Sequence, residues 1–292
     1  MLVRVAAVQP FAYRGEEETR NEAEALRYLD QAADAGAQVA VFPEGYPGPY
    51  NGPLTFDPFP ALCDKARRHR MYVIASKVLP APEHGENVYF LALGLISPSG
   101  EMRAVYQRSH PNPPGVEQFL MPDKTIAPGE EVPVFETDRG NFGLQICSEL
   151  WLPEVSRIQA LKGADILFAP IGGCLYELLP SWKILVQARA IENLAYVVVS
   201  QNIWGKEEGL GMIAGPEGVL AESAGPGVIT ADLDLDRLTW LRDGEQRMVL
   251  PKPYRAIPGI LKERRHSLYA ALAEPDASAR DYFYFKAADK AK

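Results

Sequence analysis

The chain has 292 residues, 47% of them hydrophobic, with 30 Lys and Arg against 38 Asp and Glu for a formal charge of −8. A compact chain of this length buries about three quarters of its unfolded surface and needs no staple, and a mildly acidic sequence without charge blocks argues against a nucleic-acid partner. No apolar run reaches the ~18 residues of a membrane span, residues 1–10 lack the pattern of a secretory leader, and Cys63, Cys147 and Cys174 are too few for a disulfide framework, so the expectation is a cytoplasmic protein whose cysteines matter as thiols.

Residues 2–9 alternate loosely and are rich in Val, which predicts a strand; residues 16–35 place Leu26, Leu29 and Ala33 on one helical face before Gly36 stops the helix. A second strand is expected at 38–42, a helix at 60–70, and strands at 71–78, 88–97 and 104–107, the last two joined through Pro98, Ser99 and Gly100. After a Pro-rich loop at 111–129, residues 132–137 and 142–146 read as strands around the turn Asp138–Asn141. A helix at 153–162, a strand at 164–169, a helix at 181–193 and a strand at 195–200 follow, then short strands at 211–214, 219–221 and 228–233. Mixed strands and helices with many hairpin-like turns argue for a layered α/β fold with mixed strand pairing.

No linker interrupts the chain before about residue 250, so residues 1–250 are expected to form one domain and 251–292 an extension. That extension carries a basic stretch at 262–266 and an aromatic run at 282–285, and aromatic side chains in a tail need somewhere to bury; the surface of a partner subunit would serve.

Two residues stand where chemistry could occur. Cys147 follows a strand and precedes a helix, close to backbone N–H groups that favour a thiolate or a developing oxyanion; a merely buried structural cysteine is the alternative. Glu44 lies in Val41–Phe42–Pro43–Glu44–Gly45, a carboxylate on a mount stiffened by proline and glycine, suited to act as a general base; a solvated loop acid or a helix cap is the alternative.

At these residues the sequence resembles the nitrilase, or carbon–nitrogen hydrolase, superfamily. The resemblance runs over residues 3–272 and rests on five segments in order: Phe42–Pro43–Glu44–Gly45; Tyr106–Gln107–Arg108–Ser109–His110; Gly143–Leu144–Gln145–Ile146–Cys147 with Pro153–Glu154; Ala188–Arg189–Ala190–Ile191–Glu192–Asn193; and Arg264–Arg265–His266–Ser267–Leu268–Tyr269. It implies a four-layer αββα sandwich with mixed sheets, assembly as a homodimer or higher homo-oligomer, and a Glu–Lys–Cys triad in which Cys147 attacks, Glu44 moves the proton and the backbone N–H of Ser148 helps hold the oxyanion. Glu117 corresponds to a further carboxylate of the family loop, expected to orient the attacking water and the cation.

Position 108 departs from the pattern, because arginine stands where the family has lysine. A guanidinium is permanently charged but longer and wider than an ammonium. Either Arg108 serves as the cation with altered geometry, or Lys124 reaches in from the same loop, or amidase chemistry is lost. Tyr46, Tyr50, Glu149, Trp151, Cys174, Tyr176 and Trp204 are candidate pocket residues. Four histidines without ligand spacing give no metal site, and the chemistry needs no cofactor. The resemblance implies a cysteine-dependent hydrolase of a small amide or N-carbamoyl compound working through a thioester. A nitrilase is less favoured, because Ser148 and Glu149 follow the cysteine where nitrilases typically have Trp–Glu; a binding or scaffold protein that has lost activity is the third reading.

Overall fold

The computed structural model describes residues 1–50, 56–113, 116, 120–173, 176–205, 208–242, 261 and 264–274. In chain order the elements that build the layers are β1 (Leu2–Gln9), α1 (Arg20–Asp34), β2 (Val39–Val41), α2 (Phe59–His69), β3 (Tyr72–Pro80), β4 (Val88–Ile96), β5 (Met102–Gln107), β6 (Thr125–Ile126), β7 (Val134–Thr137), β8 (Gly140–Leu144), α3 (Pro153–Leu161), β9 (Ile166–Phe168), α4 (Leu179–Asn193), β10 (Tyr196–Val199), β11 (Gly211–Gly215), β12 (Gly218–Ser223), β13 (Gly227–Asp234) and α5 (Leu235–Arg242).

Two mixed sheets form. The first runs β13-β1-β2-β3-β4-β5 with β6 paired to β4, the second β12-β11-β10-β9-β8-β7. Each has a parallel centre, β1-β2-β3 in one and β8-β9-β10 in the other, continued on both sides by antiparallel strands.

The two-residue period of the strands sorts side chains between layers. Val3, Val5 and Ala7 of β1, Val39 and Val41 of β2, and Tyr72 and Ile74 of β3 join one core cluster with Phe142, Leu144, Ile166, Phe168 and Val198 of the second sheet. Their neighbours Ala6, Val8, Ala40, Val73 and Ala75 instead pack with Ala25, Leu29 and Ala32 of α1 and Leu62 and Ala66 of α2. Leu179, Trp182, Val186 and Ala190 of α4 cover the second sheet. The expected αββα order is therefore present, and Tyr72 joins the sheets edge-on to Phe142, which meets Phe168 in the same way, at centroid separations of 5.5 and 5.0 Å.

Every strand and helix expected from the sequence pattern is found with ends shifted by a few residues. Some features were not anticipated, among them β6, which falls inside the segment expected to be a Pro-rich loop and pairs with β4. The chain makes a 3-10 turn, Cys147–Trp151, between β8 and α3. It also continues from β13 into α5, whose Leu235, Leu238 and Leu241 are buried. The expected boundary near residue 250, the aromatic run at 282–285, Glu117 and Cys174 lie outside the described residues. Among the described residues, no helix is long and apolar enough to cross a membrane.

Candidate active site

Glu44 sits three residues beyond the end of β2, on the mount the sequence suggested. Gly45 takes φ +71°, and a Cβ there would stand 2.6 Å from the Tyr50 ring, so only glycine turns the chain at this point. The Glu44 side chain is buried, and each carboxylate oxygen has a donor: Arg108 Nη1 reaches Oε1 at 2.8 Å and the backbone N–H of Gly172 reaches Oε2 at 2.8 Å. Gly172 follows β9, and a Cβ on it would meet Oε2 at 2.5 Å, so a side chain would expel the carboxylate. Asn202, beyond β10, donates its amide to the Glu44 carbonyl at 2.7 Å. Loops from both sheets thus hold one carboxylate.

Cys147 opens the 3-10 turn after β8 with φ +52°, a left-handed conformation that costs a non-glycine residue energy. Its N–H donates to the Pro170 carbonyl at 2.9 Å, fixing the bend. The residue is buried, and burial pushes the thiol pKa well above its ordinary value; the Glu44 carboxylate adds to this as a charge and as a hydrogen-bond partner, while Arg108 and the Gly172 N–H oppose it. At neutral pH the resting group is a thiol.

Arg108 leaves the end of β5 fully buried, with 0% of its side chain exposed. Besides Glu44 it binds the His110 carbonyl through Nε at 2.9 Å, and Nη2 donates to Asn112 Oδ1 at 2.9 Å and Ser148 Oγ at 2.5 Å. The position beside Glu44, which Lys124 was an alternative to fill, is held by this guanidinium.

Glu149 was expected at the pocket, but it is wholly buried and works inward. Its carboxylate accepts from the N–H groups of Ile146, Ser109 and His110 at 2.7, 2.9 and 3.0 Å, from Ser109 Oγ at 2.6 Å, and from the Tyr106 hydroxyl at 2.7 and 2.8 Å. It pins the Arg108–His110 segment to the turn that carries Cys147. Burial alone would raise the Glu149 pKa; the His110 hydrogen bond, the Arg108 charge and the bonds from Ser109 and Ile146 outweigh it and hold the group below the ordinary carboxylate range.

Tyr46 and Tyr50 also turn out to be packing residues. Tyr46 stacks near Phe42 and donates its hydroxyl to the Asn21 carbonyl at 3.1 Å, and Tyr50 lies under Gly45. Trp151 meets Trp182 edge-on, facing α4. Trp204 abuts Gly173, the residue after the Glu44 donor, and carries the Arg14 guanidinium 3.2 Å above its ring. Tyr176 begins a short 3-10 turn ahead of α4. Cys63 is half-buried in α2 against the helix-side core, with its thiol raised by burial.

The sequence reading did not assign roles to Asn112, Gly172, Asn202, Tyr106 or Arg189. Arg189 lies in a quoted motif, and from α4 it donates to the Leu150 and Trp151 carbonyls at 2.9 and 3.2 Å, closing the far end of the Cys147 turn. Its place in that motif was the available signal, as was that of Tyr106 in another; nothing local marked Asn112, Gly172 or Asn202 as partners of the site.

A carbon-nitrogen hydrolase family model matches residues 4–243. The chain is 31% identical over 245 residues to a deaminated glutathione amidase of Synechocystis sp., covering 77% of this chain and 89% of that one. It is 29% identical over 310 residues to an N-carbamoylputrescine amidase of Solanum lycopersicum, covering 95% and 97%. Among solved structures, a variant of the amidase from Nesterenkonia sp. AN1, with the acetamide moiety of fluoroacetamide added covalently at its active-site cysteine, superposes with a TM-score of 0.72 at 22% identity, covering 92% of this chain and 96% of that one.

The buried Glu149 staple makes a stability prediction. Because its folded pKa is depressed, its contribution is fully present above the unfolded value, about 4.3, and is lost as pH falls through the folded value. Glu149→Gln is expected to lower unfolding free energy at pH 7 by about 2–3 kcal/mol, the cost of weakening hydrogen bonds to a buried charge. Denaturant titrations of both proteins from pH 7 to pH 3 should show that gap narrowing below about pH 4; a gap independent of pH would contradict the assignment.

Proposed function

The chain belongs to the carbon–nitrogen hydrolase family and is an amidohydrolase, and we propose that Cys147 is its nucleophile, Glu44 its general base and Arg108 the cation facing the developing oxyanion. The observation that carries this reading is the arrangement around Glu44: a carboxylate gripped by Arg108 and the Gly172 N–H, with the buried Cys147 thiol beside it. A neutral thiol needs a base at the moment of attack, and among the described residues Glu44 is the carboxylate whose charge and hydrogen bond reach it.

The chemistry follows from these roles. Glu44 takes the Cys147 proton as Sγ bonds to the substrate carbonyl carbon, and the carbonyl electron pair moves to oxygen, held by Arg108 and the backbone N–H of Ser148. Collapse of the tetrahedral species breaks the C–N bond, the leaving nitrogen takes the proton from Glu44, and a thioester remains. Water then attacks that thioester, losing a proton to Glu44; Glu117 is assigned to orienting this water. Collapse returns the proton to the thiolate and releases the acid.

The substrate class is a small amide or N-carbamoyl compound, which the activities named for the relatives support. The cytosol suits a protein that works through a free thiol.

We further propose a homodimer. Ile158 and Leu161 of α3 and Ile184 and Ile191 of α4 are exposed on neighbouring helices, Ile184 at 66%, and a second copy presenting the same face would cover them. Residues 251–292 are assigned to packing against that partner.

Ammonia release from a panel of amides, ureido compounds and nitriles tests the catalytic reading. Cys147→Ala should be inactive, Glu44→Gln should lose about 10²–10⁴-fold in kcat, and Arg108→Ala about 10²-fold or more. Turnover of nitriles alone, or undiminished turnover by folded Glu44→Gln, would contradict it. For assembly, sedimentation should give a multiple of 32.2 kDa, with Ile184→Asp shifting the protein toward the monomer; a wild-type monomer at micromolar concentration would refute the dimer.

A further inference from the structure

Arg108 has a built receptacle for the arm of its guanidinium that a lysine lacks. While Nη1 is engaged with Glu44, Nη2 is directed the other way, donating to Asn112 Oδ1 at 2.9 Å and Ser148 Oγ at 2.5 Å. The Ser148 hydroxyl donates in turn to Asn112 Oδ1 at 3.1 Å, so its single proton and its acceptor lone pair both have a use. A single ammonium nitrogen cannot stand where Nη1 and Nη2 both stand. Asn112 and Ser148 are therefore matched to a fork.

We propose that Asn112 and Ser148 are positioning residues that adapt this active site to arginine: by anchoring Nη2 they aim Nη1 at Glu44 and fix the cation against the Cys147 turn. Ser148 adjoins the nucleophile, so the same contact couples the cation to the turn that carries the thiol. The inference rests on the reading of Arg108 as the catalytic cation. It goes beyond that reading by naming what makes arginine workable at position 108. The cradle predicts that arginine and its two acceptors act as one unit and that lysine is the poorer residue here.

A double-mutant cycle on kcat and KM in the full chain tests this, with thermal unfolding measured for every variant. In the arginine background, Asn112→Ala and Ser148→Ala should each lower kcat about ten-fold, the scale of one hydrogen bond to a charge, with little change in KM. Ser148→Thr, which keeps the hydroxyl, should retain most of the activity. Arg108→Lys should fall below the wild type, and adding Asn112→Ala or Ser148→Ala to it should change kcat by less than about two-fold. Losses that multiply in the lysine background, or an Arg108→Lys enzyme at or above wild-type kcat, would overturn the cradle while leaving the cation reading intact. A folded Arg108→Ala variant as active as wild type would overturn the cation reading itself, and the cradle with it.

Discussion

The buried ion pair between Glu44 and Arg108 is the constraint around which the site is organised. Two charges withdrawn from water cost several kcal/mol each unless their remaining hydrogen-bonding groups are satisfied. This pair meets the condition by drawing on distant parts of the chain: Gly172 from the loop after β9 bonds the second Glu44 oxygen, while the His110 carbonyl, Asn112 and Ser148 take other Arg108 donors. Supplying those partners requires the loops at the ends of both sheets to converge, which the stacking of the sheets through Tyr72, Phe142 and Phe168 permits. The αββα architecture is in this sense the means of bringing a carboxylate from one sheet to a thiol from the other.

Around the pair, each chemical group is held by a second, inert one. Glu149 ties the Arg108–His110 segment to the Cys147 turn from inside, Arg189 closes the other end of that turn, and Asn202 holds the Glu44 backbone. The strained φ of Cys147 is sustained by this over-determination. The result is a thiol that is pointed and partnered but, because it is buried beside a carboxylate, not ionised at rest. Such a site differs from one that stores a ready thiolate: the proton must leave when the carbon–sulfur bond forms.

Much of the fold was legible because strand alternation is a local signal. Val3, Val5 and Ala7 against Ala6 and Val8 declare two buried faces, and the turn residues between β4 and β5 and between β7 and β8 mark hairpins that the register confirms. Helix α5 escaped notice because its three leucines are interleaved with Asp236, Arg237 and Arg242 and follow directly on a strand. At the site, Glu44, Arg108 and Cys147 were found through motifs, but the partners Gly172 and Asn202 were not, since their bonds to Glu44 span 128 and 158 positions. Glu149 shows the limit of reading position alone. Two residues from Cys147, it resembles a pocket group, and only its five donor groups reveal it as an internal tie.

The central claim, a neutral Cys147 thiol activated by Glu44, is tested most directly by the ultraviolet absorbance of the thiolate near 240 nm, titrated in the wild type against Cys147→Ala. With burial and Glu44 both opposing ionisation, the difference spectrum should show no thiolate step at neutral pH or through the ordinary thiol range near pH 8.5. A step at or below neutral pH that disappears with Cys147→Ala would mean a resting thiolate paired with Arg108, and would contradict the assignment of Glu44 as the base that activates it.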